Sequence, residues 1–472
     1  MKTRKTLFAS FSFLFLGLVP ISAMGQSLPH TFTANTAAKA SEVNENFTYL
    51  LERFGTRKTS VNCSGGESIA TALQNYNHIV ISGVCTENIS LDGETLPHRV
   101  VILEGSSSAS DGITASSSAS PVIDINYHVF VRVKKLTLKG GQMGLKVRRN
   151  GIALISNSIV ESNSGYGICA CGTSFMFSES NTIRNNSGNG IYATDNAEVN
   201  IKSNTISGHS GGSSITITQG AYALINSNTI TGSSGQNAVE ISRGSSATIK
   251  SNTIQSAYIG ISVQDSSHAI LKNNTVNSNS NSGLKVDNNA SVILAEGNTF
   301  SNNSEYGIRV WLAGSLVMWG GAQLTSPTTI SGNTKGPIRV DEGGSAYLSN
   351  LTLASQSKGI IIQNGNFVKL DNVTITGSGE YGIRVWGTNI GLEDSTISGS
   401  TNAEIYAEFS TINLAKTTIT GTSGSDEIKL NYSSMLFIDT GTTITGTVKC
   451  DGSVDNNSIG NYANLTLTTS GC

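Results

Sequence analysis

Charge is scarce in this chain: only 13% of its 472 residues are Asp, Glu, Lys or Arg, and 30 basic residues nearly cancel 32 acidic ones. That balance lacks the basic excess of a nucleic-acid-binding protein, so no nucleic acid is expected as a partner. It also lacks the acidic block of a solubilising tail. The six histidines, at 30, 78, 98, 128, 209 and 268, are isolated, and none suggests a metal ligand or a nucleophilic triad. No metal or cofactor is therefore expected. Prolines number six against 51 glycines, an unusual balance for a globular enzyme. Beyond the N-terminus no apolar run is long enough to cross a bilayer, so no membrane span is expected. Abundant Ser, Thr, Asn and Gly with little charge is a composition shared with disordered chains, but Ile, Val and Leu return regularly and supply surface to bury.

Lys2, Arg4 and Lys5 precede a mostly apolar run from Leu7 to Val19, followed by Pro20 and Ala23-Met24-Gly25. This pattern predicts a secretory signal peptide over residues 1–25 and a secreted, cell-surface or periplasmic destination. Cysteines of an exported chain are expected to be paired. Cys63 and Cys85 are 22 residues apart, and so are Cys450 and Cys472. Cys169 and Cys171 stand two apart on one face of a strand; no His or further Cys accompanies them, so a metal or redox role is set below a local bridge or two free thiols.

The 22-residue spacing matches an internal repeat. A Gly-aliphatic-x-aliphatic motif places aliphatic residues at 145, 168, 191, 215, 239, 261, 284 and 308. After a step of 30 to Ile338 it resumes at Ile360, Ile383, Ile405 and Ile428. A second motif, Ser/Asn-Asn-Thr-Ile, runs in phase and ends at Ile159, Ile183, Ile206, Ile230, Ile254, Val276 and Phe300. Between them lie turn pairs such as Asp195-Asn196 and Asp287-Asn288. The segments are too short and too β-branched for helices.

Such repeats predict an all-β solenoid, a single-stranded right-handed parallel β-helix of about fourteen coils in which Leu145 and Val147 point inward and Lys146 outward. The chain here resembles the pectin-lyase-like right-handed β-helix family over residues 61–472. Residues one coil apart stack at about the 4.8 Å strand spacing, which places Cys63 with Cys85 and Cys450 with Cys472 within bridging reach. Asparagines at 157, 181, 204, 228, 252, 274 and 298 are expected to form one column, resembling the asparagine ladder of pectate-lyase-type helices.

The ends of a β-helix need covers, because an open end exposes core and strand edges. Ile69, Ala72 and Leu73 fall on one face of a helical turn suited to plug the first coil. Residues 26–60 read as an N-terminal helical or linker segment. Within it Ala40, Val43, Phe47, Leu50 and Phe54 follow a heptad-like spacing that fits a homotrimer through residues 40–54, or else a helix that lies on the stack end or acts as a stalk.

The string Glu-Tyr-Gly-Ile-Arg-Val-Trp occurs at 305–311 and again at 380–386, three coils apart. Alternation turns Arg309, Trp311, Arg339, Asp341, Arg384 and Trp386 outward. Indole faces stack on sugar rings and guanidinium forks pair with carboxylates, so these six residues are candidate ligand contacts for an extracellular polysaccharide. The alternative is that the arginines pair with Glu305, Glu342 and Glu380 while the Trp residues cover the enlarged loop between 310 and 329, with Leu316, Met318 and Trp319. The resemblance also implies a polysaccharide lyase, hydrolase or epimerase acting on an acidic glycan. The acidic motifs of polygalacturonases and alginate epimerases are missing, and no catalytic residue is assigned. A surface adhesin or fibre-like protein is the third reading.

Overall fold

The computed structural model describes residues 57–106, 110–233, 235–318, 326–422, 426–450, 458–461 and 468–470. The signal peptide, the segment proposed for trimerisation, Trp319 and Cys472 lie outside them.

Each coil carries three short strands. A five-residue strand such as Ile152–Ser156 belongs to the first sheet, a three-residue strand such as Ile159–Glu161 to the second, and Ile168–Cys171 to the third. Each pairs in parallel with its counterpart one coil on. The third sheet contains 17 strands among the described residues, more than the fourteen coils counted from the motifs. The surplus lies at the ends, where Ile89–Asp92, Ile123–Asn126, Thr447–Cys450 and Thr468–Ser470 keep the register without the motif.

Alternation sets the core. In the third sheet Ile168 opposes Ile191, and the column continues through Ile215, Val239, Ile261, Leu284 and Ile308. Ile360 opposes Ile383 further along, and all of these side chains are fully buried. At about 25 cal/mol per Å² of apolar surface, such columns supply the main stabilisation of the stack. Gly167 shows how tightly the coil corner is packed: a Cβ there would lie 2.6 Å from the Gly190 carbonyl oxygen and 2.8 Å from Asn186 Nδ2.

Two bends per coil share one construction, a left-handed residue followed by an inward one that is polar in many coils and apolar in others, as at Leu136, Ala257, Leu351 and Val373. At the bend between the first and second sheets Ser180, Ser203, Ser227 and Ser251 take positive φ, and Asn181, Asn204, Asn228 and Asn252 follow them. Each asparagine accepts from the main-chain N–H of the one before: Oδ1 of Asn204 from Asn181 at 2.9 Å, Oδ1 of Asn228 from Asn204 at 2.8 Å and Oδ1 of Asn252 from Asn228 at 2.8 Å. Asn157 is not a member. It occupies the left-handed position with φ 50° and is exposed, while Ser158 takes the inward place and its N–H donates to Asn181 Oδ1 at 2.9 Å.

A second column lies at the bend between the second and third sheets, which the motifs did not announce. Asn163 donates through Nδ2 to Asn186 Oδ1 at 2.9 Å, and Asn279 and Asn303 donate likewise to Asn303 and Asn333. Between the two runs the column includes His209 and Ala257, with Ser233 on the coil between them. Near the C-terminal end Ser400 stands in it, and Glu404 takes the place of the corner glycine. That carboxylate accepts from the Ser400 N–H at 2.9 Å and is fully buried, which raises its pKa.

At the N-terminal end the strand Lys58–Asn62 pairs with His78–Ser82, and the short helix Ile69–Ala72 packs Ile69 and Leu73 against the first coil. Ser68 caps this helix by accepting from the Thr71 N–H at 3.2 Å. Glu87 accepts from the N–H groups of Ile69 and Ala70 at 2.7 and 3.2 Å. Cys63 is bridged to Cys85 with a Cα separation of 4.7 Å, and Cys169 to Cys171 with 6.0 Å. Cys450 is also disulfide-bonded.

Candidate functional site

The third sheet presents the twice-occurring string on its outer face. Val310 pairs with Val340, Asp341 with Gln363, and Gln363 with Trp386, so Trp311, Asp341, Gln363 and Trp386 stand in one column along the axis. Three strand spacings separate the two indoles, about 14 Å. Arg309 and Arg339 form the neighbouring column, continued by Ile361 and Arg384.

These six residues divide into two groups. Around Trp311 the side chains are interlocked. Asp341 is 2% exposed and its Oδ2 accepts from both Arg309, at 3.2 Å, and Arg339. Arg339 also donates to Tyr306 Oη at 3.0 Å and to Gln363 Oε1 at 3.2 Å. The indole of Trp311 has Lys285 Nζ 4.7 Å and the Arg309 guanidinium 4.8 Å from its centroid, and Lys285 is ion-paired with Asp287 at 2.6 Å. Three cations share two carboxylates, which leaves this part of the face positive. Among the described residues Arg309 Nε, Trp311 Nε1 and Asp341 Oδ1 have no hydrogen-bond partner.

Around Trp386 the face is open. Trp386 is 39% exposed, and the Arg384 guanidinium lies 5.7 Å from the Tyr406 ring centroid. Tyr381 and Tyr406 pack with centroids 4.9 Å apart. Tyr406 donates to Glu408 Oε1 at 2.7 Å and accepts from Asn431 Nδ2 at 2.9 Å. Burial, followed by the Glu408 contact, pushes this phenol up to about 12, so it stays protonated at neutral pH. Arg384 has no acidic partner among the described residues.

Among the described residues Arg309, Arg339 and Arg384 form no ion pair with Glu305, Glu342 or Glu380. Glu305 binds Lys335 at 2.5 Å and Glu380 binds Lys358 at 3.3 Å. Leu316 and Met318 are not loop residues either, since both are buried in the strand Ser315–Met318. Sequence reasoning passed over Tyr306 and Tyr381, which bear on the arginine and tyrosine clusters. Their signal was present, because both occupy the second place of the duplicated string. Chemically the face offers stacking rings and cationic forks. Among the described residues no cluster of His, Cys, Asp and Glu could hold a metal ion, and no helix is long and apolar enough to cross a membrane.

No curated protein matches the sequence significantly. Among solved structures the chain is similar to the periplasmic alginate epimerase AlgG, at 12% identity over 72% of this chain and 77% of that one, with a TM-score of 0.43. It is also similar to the A-module of the mannuronan C-5 epimerase AlgE6 of Azotobacter vinelandii, at 14% identity over 85% of this chain and 98% of that one, TM-score 0.24. A third likeness is to the receptor binding domain of the siphovirus 9NA tailspike, at 11% identity over 88% and 77%, TM-score 0.27. The family pattern described as right handed beta helix region matches residues 122–210, 172–323 and 337–470. With the three parallel sheets and inward columns described above, the chain belongs to the right-handed β-helix family.

Proposed function

We propose that this chain is an exported protein that binds an extracellular, anionic polysaccharide along the outer face of the third sheet, between Trp311 and Trp386. The observation that carries this reading is the column itself. Two indoles stand about three strand spacings apart beside Arg309, Arg339 and Arg384, an arrangement a linear polymer can follow. An indole left 39% exposed is costly surface unless something covers it. The Cys63–Cys85 bridge suits an oxidising compartment. Glycan binding needs no acid–base pair, and the buried Asp341 is occupied by two guanidiniums rather than presented to a substrate.

Trp386→Ala is the clean test, because Trp386 is exposed and its loss opens no cavity. Retention on the polysaccharide that binds the wild type is expected to weaken by about 1–3 kcal/mol, the range of an aromatic hot spot, with an unchanged melting temperature. The double variant Trp311→Ala, Trp386→Ala is expected to lose retention altogether. Affinity equal to wild type across a panel of charged and neutral polysaccharides would remove this face from the reading.

A further inference from the structure

The Cys169–Cys171 bridge differs in kind from the Cys63–Cys85 bridge. Cys63–Cys85 spans 22 residues and ties consecutive coils together at the end of the stack. Cys169–Cys171 spans two residues and lies within a single strand, on the outer face in the body of the helix. A disulfide's restriction of the unfolded chain grows with the logarithm of the loop it closes, so this bridge adds far less than the 22-residue one. It also joins no two coils, since parallel pairing already fixes Cys169 between Lys146 and Tyr192.

Its surroundings suit chemistry. Cys169 is 1% exposed, whereas Cys171 is partly open to solvent, so one sulfur can be approached and the other cannot. Lys146 stands directly opposite Cys169 on the preceding strand. Its ammonium has no hydrogen-bond or ion-pair partner among the described residues, while the neighbouring Arg148 is taken up by Asp124 at 2.8 Å. The register sets Lys146 on the strand next to Cys169, and a cation brought near a sulfur favours the thiolate over the thiol. The Tyr166 and Tyr192 rings, stacked with centroids 4.6 Å apart, flank the same patch.

We infer that Cys169–Cys171 is a thiol–disulfide exchange site for small or peptide thiols, with Cys171 as the attacked sulfur, Cys169 as the leaving group and Lys146 as its counter-ion. An incoming thiolate forms a bond to Cys171 Sγ as the intramolecular S–S bond breaks, and the electron pair leaves on Cys169 Sγ beside the Lys146 ammonium. A second thiolate then attacks the sulfur of the first thiol in the mixed disulfide. The two external thiols leave as one disulfide, and Cys171 departs as a thiolate. The chain gains two electrons and two protons as the two thiols are oxidised. This site is independent of the glycan-binding face.

The test uses the folded wild-type protein, reduced glutathione as the probe, iodoacetamide as the trap and peptide mass mapping as the readout. Cys169 and Cys171 are expected to become alkylated at glutathione concentrations that leave Cys63–Cys85 closed. Lys146→Met is expected to slow that opening about tenfold, because the leaving thiolate loses its counter-ion. Cys169→Ser, Cys171→Ser is expected to keep the wild-type melting temperature. Bridges that open together, an unchanged rate in Lys146→Met or a markedly lower melting temperature in the double serine variant would each overturn the assignment.

Discussion

Replacing Asn252 by Ala should cost about 3–4 kcal/mol of stability, because one side chain serves three coils at once. Its Oδ1 accepts from the Asn228 N–H at 2.8 Å and from Asn228 Nδ2 at 3.0 Å. Its Nδ2 donates to the Ile225 carbonyl at 2.9 Å, the Lys250 carbonyl at 3.0 Å and Asn274 Oδ1 at 3.0 Å. The side chain is 2% exposed, so water does not replace these partners. Each buried polar group left unmade costs about 1–3 kcal/mol, and alanine strands more than one of them. Asn252→Ser should cost less, since Ser158 already fills the inward place at the start of the same column and its main chain still pairs with Asn181. Urea unfolding followed by amide exchange at Asn228 distinguishes the two variants. An alanine variant within about 0.5 kcal/mol of wild type, the usual range for surface substitutions, would show that the amide column is not what holds this bend.

The two columns also mark what a sequence can and cannot disclose here. Coil phase, inward faces and the first column were legible because each rests on a residue type repeated at a fixed step. Ile168, Ile191 and Ile261 announce themselves by period, and Asn181 to Asn298 recur before a constant Thr and then Ile, Val or Phe. Asn157 was misplaced because two polar residues adjoin at that bend, and only backbone conformation tells which takes the left-handed place. The second column was missed because its members vary: Asn163 and Asn186, then His209, Ser233 and Ala257, then Asn279, Asn303 and Asn333. Its function requires only an inward side chain of suitable size, so composition drifts while geometry persists. At the candidate site, facing was legible from alternation, which placed Arg309, Trp311 and Arg384 outward. That Asp341 would be enclosed by two arginines was not, because it depends on side-chain reach across coils rather than on period. Glu404 and Ser400 show the same limit, a glutamate substituting for a corner glycine where the facing column residue has shrunk.

His209 is where the irregular column should declare itself in solution, through acid stability. The ring is 1% exposed in the asparagine position, and neither nitrogen has a partner at hydrogen-bonding geometry among the described residues. Burial lowers its pKa from 6.5 to about 4, while the main-chain groups of Asn186 and Ile183 against the ring pull weakly the other way. Because the folded value lies below the unfolded one, the unfolded chain takes up the proton first as pH falls. The neutral imidazole's contribution is therefore complete above about pH 6.5, declines through the window down to about 4, and is absent below it. The difference between the two values corresponds to about 3 kcal/mol at most. An asparagine at 209 carries no titrating group and can repeat its neighbour's bonds. Asn186 Nδ2 donates to the Val160 carbonyl at 3.1 Å, and Ile183 is the residue one coil after Val160 in register. Asn186 Oδ1 accepts from the Asn163 N–H at 3.1 Å, as an amide at 209 would accept from the Asn186 N–H. His209→Asn is thus expected to be at least as stable as wild type at pH 7.5 and to gain a further 2–3 kcal/mol or so over it at pH 4. Urea midpoints of the two proteins at both pH values check this, with every other titrating group common to the pair. Curves that stay parallel from neutral to acid pH would mean that the ring is protonated in the folded state and that its burial is relieved by local opening.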